Sequence, residues 1–179
     1  MRGRRNVEIR LARVSDVPVI ARIHVDSWQQ TYSGLLPRKV IDQHSYPDRL
    51  ALWEKIYQSD RTLVAIDEHS GRLLGFITGG PQRSHPEMTD YPGEIYGLYV
   101  DPKLEHHGIG TRLFYSKRAE LLNERLLPFT IDCLSSNVPA LGFYQSHGGE
   151  LLKSGTYVAN GCDFETQVLT FNMRVLGLD

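Results

Sequence analysis

Cysteine is scarce in this chain of 179 residues: only Cys133 and Cys162 are present. Two thiols so far apart make no disulfide framework, and both are expected to be reduced, as in a cytoplasmic protein. Metal-binding spacings are missing too. No CxxC or HExxH pattern occurs, and the adjacent His106 and His107 would diverge on most backbones, so no metal site is expected. There is no GxSxG elbow, and neither cysteine falls in a Cys-His nucleophile pattern, which argues against a covalent enzyme intermediate. No stretch approaches the roughly 18 apolar residues of a membrane-spanning helix, so no membrane partner is expected. Neither sign of charge dominates: 20 Lys and Arg stand against 21 Asp and Glu, a formal net charge of -1. That balance gives no footing for nucleic-acid binding. The basic run Met1-Arg2-Gly3-Arg4-Arg5 is not followed by the apolar core of a signal peptide, because charges continue through residues 6–13. Residues 1–6 are therefore read as a loose arm.

What is present is an ordinary globular composition, 41% hydrophobic, at a length that suits one domain, residues 1–179, with a single substantial core. Residues 7–13 alternate apolar and polar, as an opening strand does. Ser15 is placed to cap a helix whose buried face carries Val17, Ile20, Ala21, His24 and Trp28, and Gly34 and Pro37 end it. Residues 48–58 read as a second helix. Residues 62–67 and 73–79 read as strands joined by polar hairpin residues. The loop 81–93, with Pro81, Pro86, Pro92 and Gly93, is either a functional edge or plain solvated chain. A strand at 94–100 precedes a helix at 110–126 with Leu113, Phe114, Lys117, Leu121 and Leu122 on its core face. A strand at 129–134, a short helix at 139–147 and strands at 150–158 and 163–173 follow, the last two joined by Ala159-Asn160-Gly161, a strong hairpin cue. The alternation of strands and helices is that of an α/β fold.

The most informative stretch runs from Glu94 to Phe114, where a β-rich run ends at Asp101-Pro102 and the turn Gly108-Ile109-Gly110 opens a helix. Glycines let amide hydrogens at a helix start converge on one cluster of ligand oxygens, with the helix dipole adding a favourable field. Phosphate or pyrophosphate fits such a cradle. A GxG turn alone is weak, but a second pattern follows: Asn137, Ala140, Phe143, Tyr144 and Gly148 spaced as N-x-x-A-x-x-F-Y-x-x-x-G. Together the two motifs resemble the GNAT superfamily of acyl-CoA-dependent N-acyltransferases, whose pyrophosphate loop reads Q/R-x-x-G-x-G/A. This chain departs from it at Glu105, where Gln or Arg is usual, and at His106, where glycine is frequent.

The resemblance implies a mixed, mostly antiparallel sheet flanked by helices and splayed between the fourth and fifth strands, with acetyl-CoA as cosubstrate. It assigns the pyrophosphate to His107, Gly108, Ile109, Gly110, Thr111 and Arg112, and the pantetheine arm to main-chain groups of Leu98, Tyr99 and Val100. Gly97, isolated inside a strand, marks either a bulge or a close approach. Tyr144 aligns with the family's tyrosine that protonates the departing sulfur and also faces the cofactor, with Phe143 packing beneath it. Glu94 matches a carboxylate that accepts the amine proton, or is a solvated strand end; Tyr96 and Asp101 stand in reserve. Asn137 caps its helix, binds the CoA arm, or does both. Trp28 and Tyr32, four apart on one helix face, either flank the acceptor or pack in the core, and the first two helices with loop 81–93 are expected to frame the acceptor pocket. The implied activity is transfer of acetyl to a small-molecule primary amine by direct attack in a ternary complex. Acetylation of a protein N-terminus or lysine, and a non-catalytic CoA-binding module, are the alternatives; a homodimer is expected only by family analogy.

Overall fold

Among the described residues seven strands form one sheet whose single parallel contact is cut short, and that interruption positions the site. The computed structural model describes residues 6–104, 107–159 and 161–172. The expectations for Met1 to Arg5, Glu105, His106, Asn160 and Met173 fall outside these residues. The strands are β1 Val7–Leu11, β2 Leu63–Asp67, β3 Leu73–Pro81, β4 Gly93–Val100, β5 Phe129–Leu134, β6 Glu150–Ala159 and β7 Cys162–Phe171. Their spatial order is β1-β2-β3-β4-β5-β7-β6, and every neighbouring pair is antiparallel except β4 and β5. The helices are α1 Val17–Tyr32, α2 Arg38–Ile41, α3 Tyr46–Ile56, α4 Ile109–Asn123 and α5 Val138–Ser146.

Two local expectations are corrected, and one element has no counterpart in the sequence reading. Asp16, not Ser15, organises the start of α1: its carboxylate accepts from the Arg13 amide at 2.7 Å and from the Arg10 guanidinium at 2.7 Å, closing a 3-10 turn over Val14–Asp16. The short α2 carries no sequence signal, because four residues show no helical period; it is seated by the buried Val40 and by amides of Val40 and Ile41 donating to the Pro37 carbonyl. Asn6 is no loose residue, since its carbonyl accepts from the Glu68 amide at 3.0 Å.

β2 is buried along most of its length because helices cover both faces of the sheet there, so it reads as an apolar run and not as an alternation. Successive side chains still point to opposite faces. Leu63 and Ala65 join Leu113, Phe114, Ile131, Phe129, Tyr144 and Phe171 on the α4–α5 side. Val64 and Ile66 join Ile20, Ile23, Trp53 and Phe76 on the α1–α3 side. Lys117, expected on the core face of α4, is fully buried there, its ammonium donating to the Arg61 carbonyl at 2.6 Å and to Glu120 at 2.7 Å. Burial with two partners satisfies a charge that would otherwise be costly.

The parallel β4–β5 contact holds only Gly93 with Phe129, Glu94 with Thr130 and Ile95 with Ile131. Beyond Ile95 the register of β4 against β3 slips by one residue: Gly79 faces Ile95 but Thr78 faces Gly97, leaving Tyr96 as the extra residue of a bulge. A bulge bends and overtwists its strand, which carries β4 away from β5. Gly97 is required here, since a Cβ would lie 2.7 Å from the Tyr99 ring.

Candidate active site

Between the diverging strands lies a cleft of about 540 Å³, walled by Tyr96 to Val100 of β4, Ile131 to Cys133 of β5, the turn Gly108 to Thr111, Phe143 and Tyr144 of α5, and Ser27, Thr31 and Tyr32 of α1. The Asp101 amide donates to the Leu74 carbonyl of β3 at 2.8 Å. Strand alternation then turns the main-chain groups of Tyr99 toward β3 and those of Leu98 and Val100 toward the cleft, where no strand pairs them. Ser27 takes one of these, donating from Oγ to the Val100 carbonyl at 2.9 Å. What remains is a strand edge able to pair with an extended, amide-bearing arm.

At the mouth of the cleft Gly108 adopts the left-handed conformation, φ 75 and ψ 5, directly before α4. The first intrahelical amide of this turn is that of Arg112, donating to the Gly108 carbonyl at 3.2 Å. The amides ahead of it, at Ile109, Gly110 and Thr111, belong to the first turn of α4, where helix geometry supplies no partner, and they carry the positive end of the helix dipole. This donor set fits a pyrophosphate. Two residues expected in the cradle are not brought to it. The Arg112 guanidinium reaches the Val7 carbonyl at 3.5 Å, and His107 turns Nδ1 to within 3.2 Å of the Leu104 carbonyl; neither lines the cleft.

Tyr144 stands on the cleft floor, 7% exposed, edge-on to Phe143 with ring centroids 5.3 Å apart. Burial holds its phenol well above the ordinary value, so it keeps its proton. Cys133 also faces the cleft, and burial pushes its thiol up to about 12. A thiol so held is a poor nucleophile. Asn137 both caps α5, accepting from the Ala140 amide at 3.2 Å, and lines the cleft, donating to the Tyr32 hydroxyl at 3.4 Å. Tyr32 thus sits in the cleft, whereas Trp28 does not. Trp28 stacks on His44 with centroids 3.8 Å apart and packs with Leu36, Val40 and Leu134.

Glu94 is not brought to the cleft wall. It is 4% exposed, and its carboxylate accepts from the Arg83 amide at 2.9 Å, the Ser84 amide at 2.9 Å and the Ser84 hydroxyl. Those bonds anchor the start of the loop that follows β3. Asp101 is likewise occupied, by Arg72 and by the Lys103 amide at 3.0 Å. Tyr96 does line the cleft; its hydroxyl donates to the Pro81 carbonyl at 2.6 Å, Arg83 lies over its ring at 3.5 Å, and burial pushes its phenol up to about 12. Of the loop 81–93, no residue lines the cleft directly.

A model of the acetyltransferase (GNAT) family matches residues 21–148, most of the chain. The chain belongs to the GNAT family. Among its relatives, the N-acetyltransferase Rv2775 of Mycobacterium tuberculosis (strain ATCC 25618 / H37Rv) is 32% identical over 143 residues, 78% of each protein. The N-acetyltransferase YuaI of Bacillus subtilis (strain 168) is 28% identical over 155 residues, 87% of each. The structure of YncA from Salmonella typhimurium, an acetyltransferase with acetyl-CoA as its cofactor, superposes with a TM-score of 0.70 at 20% identity, covering 93% of this chain and 94% of that one. The seven-stranded mixed sheet with its short parallel pair is the GNAT fold, and the chain is an N-acetyltransferase of that family.

GNAT motifs pointed to the turn, to β4 and to Tyr144, but not to Ser27, Thr31, Asp132 or Cys133, which the cleft gathers from α1 and β5. One signal for Asp132 was available. A carboxylate in the run Phe-Thr-Ile-Asp-Cys-Leu shares a strand face with Thr130, opposite the apolar Ile131 and Cys133. Among the described residues no group of three or more potential ligands could hold a metal, and no helix is long and apolar enough to cross a membrane.

Proposed function

We propose that the chain moves the acetyl group of acetyl-CoA to a primary amine of a small molecule by direct attack in a ternary complex. The observation that carries this reading is the cleft itself: the Leu98 main-chain groups and the Val100 amide, which no strand pairs, on one wall, the first-turn amides behind Gly108 at the mouth, and a protonated Tyr144 on the floor. Acetyl-CoA would supply the activated thioester. The amides of Ile109, Gly110 and Thr111 would hold its diphosphate, and the edge of β4 would hold its pantetheine. A β4 amide aimed into the cleft would stabilise developing negative charge on the carbonyl oxygen. Tyr144 would return a proton to the departing sulfur. Cys133, held as a thiol, is unsuited to carry the acetyl group itself, which favours direct transfer.

Calorimetric titration with acetyl-CoA, with CoA and a control nucleotide alongside, tests the first half of this reading: micromolar binding specific to the two CoA species is expected. Release of CoA in a panel of small primary amines, short peptides and free lysine tests the second. Turnover confined to peptides would move the acceptor to a protein. Binding without turnover of any panel member would leave a CoA-binding module.

A further inference from the structure

The cleft holds a proton acceptor that the family motifs did not indicate. Asp132 is the first residue of β5 past the last β4–β5 pair, so it stands at the head of the splay and lines the cleft. Its neighbours Ile131 and Cys133 pack on the α4–α5 side with Tyr144, so the Asp132 side chain leaves β5 on the other face. The His85 imidazole meets it there, with Nε2 at 2.9 and 3.1 Å from the two carboxylate oxygens. The other ring nitrogen lies 3.5 Å from Glu87, which pairs with Lys153 of β6 at 3.0 Å.

The loop is built to hold His85 in place. Glu94 clamps Arg83 and Ser84, Gln82 donates to Thr130 at 2.8 Å, and the His85 amide donates to the Gln82 side chain at 3.2 Å. Buried Glu94, expected as the base, is thereby a positioning residue for the loop that carries His85.

We propose that Asp132 receives the acceptor amine as its ammonium ion and that the Asp132–His85 pair removes its proton. This deepens the acetyl-transfer reading and rests on it. The ammonium is drawn to a carboxylate at the point where β4 and β5 part, opposite Tyr144. One proton passes to Asp132 and on to His85, whose side chain is 18% exposed and so can release it to water. The imidazolium formed on the way is flanked by Asp132 and Glu87. The neutral nitrogen then forms the new C–N bond as the C–S bond breaks. Tyr144 gives its proton to the thiolate, and the second amine proton restores Tyr144. One proton leaves with CoA and one reaches solvent, so the transfer balances. The groups that set the charge state of the pair are Glu87 on the loop, Glu94 on β4 and Lys153 on β6. Burial raises the Asp132 carboxyl and His85 counters it, which suits a group that must take up a proton.

The test uses the full chain and whichever primary amine of the panel above is turned over fastest. Asp132→Asn and His85→Gln should each lower kcat/KM for the amine by about 100-fold at neutral pH. The deficit should shrink as pH rises and the free amine becomes abundant, and calorimetry should give acetyl-CoA affinities within twofold of the parent. His85→Ala should regain activity in added imidazole. A deficit independent of pH, an equal loss of acetyl-CoA binding, or near-parental turnover in both variants would overturn the assignment. Acetyl-CoA binding without transfer by the parent to any amine would overturn the transfer reading and this proposal together.

Discussion

Ser27 Oγ donates to the Val100 carbonyl across 2.9 Å, tying α1 to the cleft-facing edge of β4. The bond fixes the strand segment proposed to pair with the pantetheine arm, and it links α1 to that strand. Ser27→Ala should weaken acetyl-CoA binding about fivefold, the equivalent of one hydrogen bond of about 1 kcal/mol, measured by calorimetry.

Tyr144→Phe removes a hydroxyl and little packing, because the ring contacts with Phe143, Phe114 and Phe171 persist. A drop in kcat of about 10²-fold is expected, with acetyl-CoA affinity unchanged, if the hydroxyl protonates the sulfur. An unchanged kcat would remove Tyr144 from the chemistry.

Gly108→Ala isolates backbone strain, since a Cβ at this position meets nothing within 4 Å while φ stays at 75. The left-handed conformation should cost roughly 1–2 kcal/mol, shared between a lower melting temperature and an acetyl-CoA affinity reduced by about threefold. Equal stability and equal affinity would show that the turn does not need its glycine.

Cys133→Ser should retain transfer within about threefold. An acyl-enzyme route through this cleft thiol predicts a collapse of turnover and loss of an acetylated Cys133 peptide in mass spectrometry, so the two mechanisms give opposite results.

Acid should destabilise the fold through His24. Burial, aided by Arg49 and His44, lowers its pKa from 6.5 to about 3, and its Nδ1 accepts from the Trp53 indole at 3.0 Å. The unfolded chain takes up a proton near pH 6.5 that the folded chain refuses until about pH 3, so stability falls as pH drops through that window. The total is on the order of 5 kcal/mol. His24→Gln, which keeps an acceptor for Trp53, should flatten the dependence of melting temperature on pH between 6.5 and 4; an unaltered slope would place the effect elsewhere.

The amino-acid sequence by itself determined the order of the elements apart from the short α2, the glycine turn before α4 and the pairing of Phe143 with Tyr144, because each is written within a few residues as periodicity, turn chemistry or motif. It also marked Gly97 as either a bulge or a close approach, and the structure sets a bulge beside it, at Tyr96. Only the tertiary structure decided which polar groups share the cleft. Glu94 looked free at the start of a strand, yet the loop 81–93 folds back and consumes its oxygens. Arg112 sits beside the cradle in sequence, but the helical turn points it at β1. Asp132 and His85 are 47 residues apart and meet only because β5 pairs with β4 for three residues and then departs. Local pattern reports what one segment prefers; a contact between distant side chains depends on how loops close and where strands part, which no single segment encodes.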